Sequence, residues 1–193
     1  GFNDISFVDL KGNSYNSINK LSQVSEREFY KAIVKDNKSM YISEPMVSKT
    51  SGEKMFIISN AVKNDNNKTV GILNAVVNLD MLSKITKDIR IGTSGYGWIV
   101  GGDGTIIAHP NKDYTLKLNI ADADKKGYKN TDQIYKNISM KKSGITNIVT
   151  PTGEQQVVMY KPIPDTPNWY LCISVPKADL LSKANQLIKR III

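Results

Sequence analysis

Ser25–Ser59 reads SEREFYKAIVKDNKSMYISEPMVSKTSGEKMFIIS, 35 residues that open as a helix, cross through a tyrosine and close as a strand. Ser25 and Glu28 have the spacing of a capping box. The hydroxyl would accept from the first free N–H groups and the carboxylate would return to the Ser25 amide, which predicts a helix from about Glu26. Phe29, Ala32 and Ile33 then face inward. Arg27 and Tyr30 fall in the first turn and a half, where an anion would meet a guanidinium and the positive end of the helix. The other reading is a surface ion pair for Arg27 and core packing for the aromatics. With Tyr41, Ser43 and Met46 beyond it, the stretch has the make-up of one wall of a ligand pocket.

Working outward, the chain repeats itself. Ser51-Gly52-Glu53 before Met55-Phe56-Ile57-Ile58 returns 101 positions later as Thr152-Gly153-Glu154 before Val157-Val158-Met159-Tyr160. Both are hairpin turns entering strands. Val70–Val77 leading to Asp80-Met81-Leu82-Ser83-Lys84 returns as Trp169–Val175 leading to Asp179-Leu180-Leu181-Ser182-Lys183, each read as a strand before an Asp-capped helix. Phe7–Asn13 and Ile99–Thr105 are matching tight turns. Three landmarks in one order predict two copies of a single module.

Each copy reads β-β-α-β-β-β, a five-stranded antiparallel sheet with flanking helices, an α+β arrangement. The first module is expected over 1–90 and the second over 91–183, joined at Lys87–Gly95, with a C-terminal helix over 184–193. In the second copy the excursion from Lys112 to Lys142 is polar and reads as a solvated helical cover.

Composition narrows the function. The 193 residues are 40% hydrophobic, enough for a buried core, and Cys172 is the single cysteine, set in an apolar run as a small buried residue. A net charge of +8 is spread among acids rather than gathered in a basic run, which argues against nucleic acid. No segment has the roughly 18 apolar residues of a membrane span, and no signal peptide stands at Gly1. Both ends nevertheless read as cut, and the apolar close of Ile188–Ile193 is expected to run on into a membrane helix; the other reading is an amphipathic tail packed on its own domain.

Enzymatic and metal readings find no constellation. His109 is the one histidine, expected in a structural role at a strand end of the second module. Asp122–Gly127 imitates an EF-hand start, but Lys126 and Gln133 stand where ligands belong. Ser17 with Lys20, and Ser139 with Lys142, are isolated Ser-x-x-Lys pairs without partner motifs. No cofactor and no metal is expected.

TSGEKMFIIS, TVGILNAVVNLDMLSKI, GTSGYGWIVGGDGTIIAHP and PNWYLCISVPKADLL together resemble the double Cache (dCache) extracellular sensor domain of bacterial transmembrane receptors. The resemblance covers the chain apart from the long N-terminal helix that normally precedes the first strand. It implies two PAS-like modules outside the membrane, a small-molecule ligand in the membrane-distal first module, and homodimerisation of a membrane-anchored receptor. Methyl-accepting chemoreceptors are the commonest owners, with histidine kinases and diguanylate cyclases as alternatives; a soluble solute-binding protein is the reading from another class.

The family's amino-acid-binding pattern Arg-x-Trp-Tyr corresponds to Arg27-Glu28-Phe29-Tyr30. Its Pro-Tyr-x-Asp corresponds to Pro45-Met46-Val47-Ser48, and the aspartate on its late strand to Val76. A buried ammonium without a carboxylate is costly. The resemblance therefore implies a site of Arg27, Phe29, Tyr30, Tyr41, Ser43, Met46, Ser48 and Val76 that takes an organic acid or amino-acid-like molecule, anionic or neutral with an apolar body.

Overall fold

The computed structural model describes residues 2–16, 21–48 and 51–181. The chain divides into two compact units between Met81 and Leu82, with Asp165–Pro167 grouped with the first.

The first unit starts with a carboxylate-made turn. The Asp9 carboxylate accepts from the backbone N–H groups of Lys11 and Asn13, both at 2.8 Å, and folds β1 (Asp4–Asp9) onto β2 (Asn13–Asn16). Gly12 takes φ +84° in that turn, a conformation open to glycine. β3 (Leu21–Gln23) follows, then α1 (Glu28–Tyr30), which widens into a π-type turn over Lys31–Lys35. β4 (Met40–Ile42), β5 (Met46–Val47), β6 (Lys54–Lys63) and β7 (Thr69–Asn78) lead to α2 (Leu79–Asp88). The antiparallel strands lie in the order β3-β2-β1-β7-β6-β4, with β5 also on β6.

The three predicted caps are replaced. The Ser25 amide donates to Gln23 Oε1 at 3.1 Å and the Arg27 amide to the Val24 carbonyl at 3.0 Å, so a turn consumes the groups a capping box would use. The helix begins two residues late, with Arg27 at the N-cap and no side-chain cap bond. At α2 the cap is Asn78, whose Oδ1 accepts from the Asp80 N–H at 2.8 Å. Asp179 instead accepts from the backbone amides of Thr93 and Ser94, at 3.1 and 2.8 Å.

The second unit repeats the plan. β8 (Arg90–Ile91), β9 (Gly95–Val100) and β10 (Ile106–Ala108) are followed by a 3-10 turn over Ala123–Lys126 and by α3 (Thr131–Ser139). β11 (Gly144–Val149), β12 (Gln155–Pro162) and β13 (Tyr170–Pro176) complete it. The order is β10-β9-β13-β12-β11, with β8 on β9. Stripped of β3, β5 and β8, both sheets run second-first-fifth-fourth-third, the expected antiparallel five-stranded core. The β9–β10 turn is again carboxylate-made, Asp103 accepting from the Thr105 N–H at 2.9 Å with Gly104 at φ +86°.

Val8, Phe29, Tyr30, Ile33 and Ile72 form the core of the first unit. The sheet's other face stays apolar and open at Ile5, Phe7, Tyr15, Leu21 and Leu73. In the second unit the polar excursion is more than a solvated cover, because Leu118, Ile120, Ala123, Ile134 and Ile138 are all buried against the sheet. Cys172 is fully buried there and its thiol is pushed up by burial, as expected of an inert small residue. No helix among the described residues is long and apolar enough to cross a membrane. Residues 177–181 are helical; the predicted apolar helix over 184–193 lies outside the described residues, as does the Ser17/Lys20 pair.

His109 is buried among Tyr96, Trp98 and Tyr114, with ring centroids 5.3, 6.4 and 4.8 Å away. Burial lowers its pKa from 6.5 to about 4. Nδ1 also accepts from the Asn111 N–H at 2.9 Å, a role that needs a bare lone pair. Between those two values the unfolded chain binds a proton that the folded one does not, so this contribution to stability is lost as pH falls through that window. The unfolding midpoint of the second module should therefore drop from pH 6.5 toward pH 4, by up to about 3 kcal/mol of stability, and His109→Gln should flatten that part of the profile.

Candidate functional site

Directly paired residues of an antiparallel sheet share a face, so register alone sorts the first sheet. Val8, Ile72 and Ala61 form one row across β1, β7 and β6, under the helix. The next row is polar: Asn16, Ser6, Asn74, Ser59 and Tyr41 stand side by side across β2, β1, β7, β6 and β4. Beyond it come Asp4, Val76 and Ile57. Where helical cover ends over the second and third rows, a cleft of about 590 Å³ opens, within the size range of small-ligand sites.

Of the residues named from sequence, the cleft brings together Arg27, Phe29, Tyr41, Ser43, Met46 and Val76. Arg27 stands at the start of α1 and forms no ion pair among the described residues, Lys31 rather than Arg27 being paired with Glu26 at 3.3 Å. Phe29 supplies a buried apolar wall and Met46 a half-open one. Burial, with the carboxylates of Glu28 and Glu44 nearby, raises the Tyr41 phenol above its ordinary pKa, so it is a donor at neutral pH. Ser43 is committed to the fold: its Oγ accepts from the Ile57 N–H and donates to the Glu44 carbonyl, both at 2.9 Å.

Tyr30 and Ser48 are not part of this lining. The Tyr30 ring is buried in the core and its hydroxyl donates to the Leu10 carbonyl at 2.6 Å. Ser48 holds the β5–β6 turn, its Oγ accepting from the Ser51 N–H at 3.1 Å and its own N–H donating to the Glu53 carbonyl.

Sequence reading missed Ser6, Glu28, Glu44, Ile57 and Asn74, all of which line the cleft. Asn74 was within reach, since it lies two residues before Val76 on one strand and must share its face. Ser6 and Ile57 needed the strand pairing. No group of three or more histidine, cysteine or acidic side chains arranged to hold a metal occurs among the described residues.

The equivalent region of the second unit is nearly filled. Tyr96, Trp98, His109, Tyr114 and Tyr128 surround a space of about 30 Å³, the room of a single water.

Fold and cleft thus define a class: paired PAS-like α+β modules, the first with a cleft of about 590 Å³ beside its helix. The chain belongs to the Cache domain family, matching its dCache_1 model over residues 2–184. It is 29% identical over 150 residues to the methyl-accepting chemotaxis protein PscA of Pseudomonas syringae pv. tomato, covering 76% of this chain. The match spans only 22% of PscA, about a fifth of its length. Among solved structures, the ligand-binding domain of the Pseudomonas fluorescens chemoreceptor CtaA, in complex with L-isoleucine, superposes with a TM-score of 0.68 at 22% identity, over 94% of this chain and 72% of that one. The extracellular domain of a provisionally assigned histidine kinase, mmHK1S-Z3, gives 0.66 at 19% identity, over 95% and 75%. At these identities the structural matches establish a shared fold.

The separation of Tyr30 from the cleft is testable. Tyr30→Phe removes a buried hydrogen bond and should lower stability by about 1 kcal/mol in chemical unfolding while leaving the affinity for any cleft ligand within about twofold.

Proposed function

We propose that this chain is the extracellular or periplasmic ligand-sensing domain of a membrane-anchored bacterial chemoreceptor, and that it takes a small carboxylate-bearing molecule, an organic acid or amino-acid-like compound, in the cleft of the first module. The observation that carries this reading is the contrast between the two copies of one sheet: an open cleft beside Arg27, which has no ion pair among the described residues, in the first, and an almost filled space in the second. The likeness to PscA supports the chemoreceptor assignment, and the CtaA complex supports a ligand of amino-acid size.

In this reading Arg27 takes the ligand's carboxylate by charge-assisted hydrogen bonds. Phe29, Met46 and Val76 cover its apolar body, and Tyr41 donates at the rim with Ser43 holding the wall. The module is a binding domain rather than an enzyme. Ligand on Asn74 and Val76 bears on β7, which runs straight into α2, so binding shifts the conformation of the segment leaving the module. The effect on signalling is set by the ligand's differential affinity for two states. The open apolar face at Ile5, Phe7 and Leu73 accepts the long N-terminal helix that double Cache receptors place before the first strand, and that helix carries the homodimer. A sensor kinase is the second reading, favoured by the fold shared with mmHK1S-Z3.

Calorimetry and thermal-shift screening of organic acids and amino-acid-like compounds against the 193-residue chain test the site. A true ligand should bind at least about tenfold more weakly to Arg27→Ala, the usual worth of a hydrogen bond to a charged group. A ligand indifferent to that change, or seated among Trp98, His109 and Tyr128 instead, overturns the assignment.

A further inference from the structure

One side chain on the sheet beneath the cleft has a polar atom with nothing to bond. Asn74, on β7, lines the cleft and is only 6% exposed, yet its Oδ1 has no hydrogen-bond partner. Buried polar groups are almost always satisfied, by the protein or by a molecule from outside it. Other buried atoms of this kind among the described residues, at Ser59, Ser83 and Tyr170, belong to side chains outside the lining. At Asn74 an unmet acceptor and an open space coincide.

The fold does not require an asparagine at this position. In the matching register Trp98 pairs with Cys172 in the second module where Ser6 pairs with Asn74 in the first. Cys172 is fully buried, and Trp98 fills the space beside it while its Nε1 donates to Ser174 Oγ at 2.9 Å. The second sheet thus closes the same place with a small apolar residue and a large aromatic one. In the first module both members of the pair, Ser6 and Asn74, are polar and both line the opening.

A carboxamide oxygen accepts hydrogen bonds and cannot donate them. Whatever meets Asn74 Oδ1 must therefore bring an O–H or N–H. The charge around it points the same way. Glu28 and Glu44 line the cleft, and both carboxylates are close enough to raise the Tyr41 phenol. Asp4 is half-buried and pairs with Val76, on the same face and diagonal to Asn74. The lining sets one guanidinium, Arg27, against these carboxylates, and a ligand carboxylate occupies it. A second carboxylate on the ligand would meet an acceptor and like charges, whereas a hydroxyl, an amide N–H or an ammonium meets an acceptor it can use.

We infer that Asn74 is a specificity-determining residue of the cleft: its Oδ1 accepts from an O–H or N–H group of the ligand, so the site selects carboxylates that carry such a donor over dicarboxylates and over unsubstituted fatty acids. This rests on the cleft being the ligand site and narrows what that site takes.

Titration calorimetry on the 193-residue chain compares one four-carbon acid with its substituted forms: butanoate, the 2- and 4-hydroxybutanoates, the 2- and 4-aminobutanoates, succinamate, and succinate as the analogue that adds only acceptors. The tightest of the donor-bearing compounds should bind at least about tenfold better than butanoate and than succinate, because a site built to hydrogen-bond a group rejects analogues that lack it. Which compound that is separates hydroxyl, amide and ammonium as the donor. Asn74→Leu, of similar size without an acceptor, should bring that compound to within about twofold of butanoate while leaving butanoate itself unmoved. Asn74→Asp keeps an acceptor oxygen and should retain a hydroxyl or amide ligand within about threefold and tighten an ammonium one. A merely structural asparagine does not produce that contrast between Leu and Asp. Unfolding midpoints check that the variants fold, and the comparison of compounds on the unaltered chain stands without them. If butanoate or succinate matches the tightest donor-bearing compound, if none of the donor-bearing compounds binds, or if Asn74→Leu binds them as before, the role of Asn74 is overturned. Arg27→Ala decides the cleft separately: loss of whichever compound binds keeps the site, and indifference removes it.

Discussion

Everything in the first module hangs on the ladder between β6 and β7. Nine residue pairs join the two strands, from Met55 with Asn78 to Lys63 with Thr69, and β1 closes on the other side of β7. Because side chains alternate strictly along a strand, this register decides at once that Ile72, Asn74 and Val76 look toward the helix and that Leu73 and Ala75 look away. A slip of one residue would put Leu73 and Ala75 into the cleft and bury nothing under α1. Core, cleft and open outer face are therefore one consequence of one pairing, graded along β7 from apolar to polar to apolar.

The same ladder, copied, explains why one module is hollow and the other full. Both sheets have the same strand order and the same carboxylate-made turn at the first hairpin, at Asp9 and at Asp103. Backbone geometry is thus held constant while one transverse row changes from Ser6, Asn74 and Ser59 to Trp98, Cys172 and Tyr160. Serine and asparagine cannot fill the volume of tryptophan and tyrosine. The residue of that substitution is space, and its position above the row is where Arg27, Tyr41 and Met46 gather. The extra polar excursion of the second copy adds Leu118, Ile120 and Ile134 from above, closing what the aromatics leave.

How much of this was legible in the sequence follows from how local each signal is. The duplication could be read because turns constrain their residues tightly: Asp9 with Gly12, Asp103 with Gly104, and the glycines of the two later hairpins at φ +70° and +84°. Arg27, Phe29, Tyr41 and Met46 could be placed at the cleft because they flank one turn and one crossing in a short stretch. Tyr30 could not be told from them, since its partner, the Leu10 carbonyl, lies 20 residues away and leaves no mark on neighbouring positions. The capping box failed for a related reason. Ser25 and Glu28 have the right spacing, but Gln23 sits two residues upstream and offers the Ser25 amide a closer acceptor. Asn74 was overlooked through attention to Val76 alone, although period two places both on one face.

The orphaned atoms also bear on why the first module is built as it is. Leaving a buried donor or acceptor unmet costs about 1–3 kcal/mol, and the first module's sheet carries two such groups, Asn74 Oδ1 and Ser59 Oγ, on directly paired residues. In the second module the matching row of Trp98, Cys172 and Tyr160 has its polar atoms met, while the Tyr170 hydroxyl two residues along β13 is unpartnered. Unpartnered buried atoms thus occur elsewhere too, so what sets Asn74 apart is that it also lines the cleft.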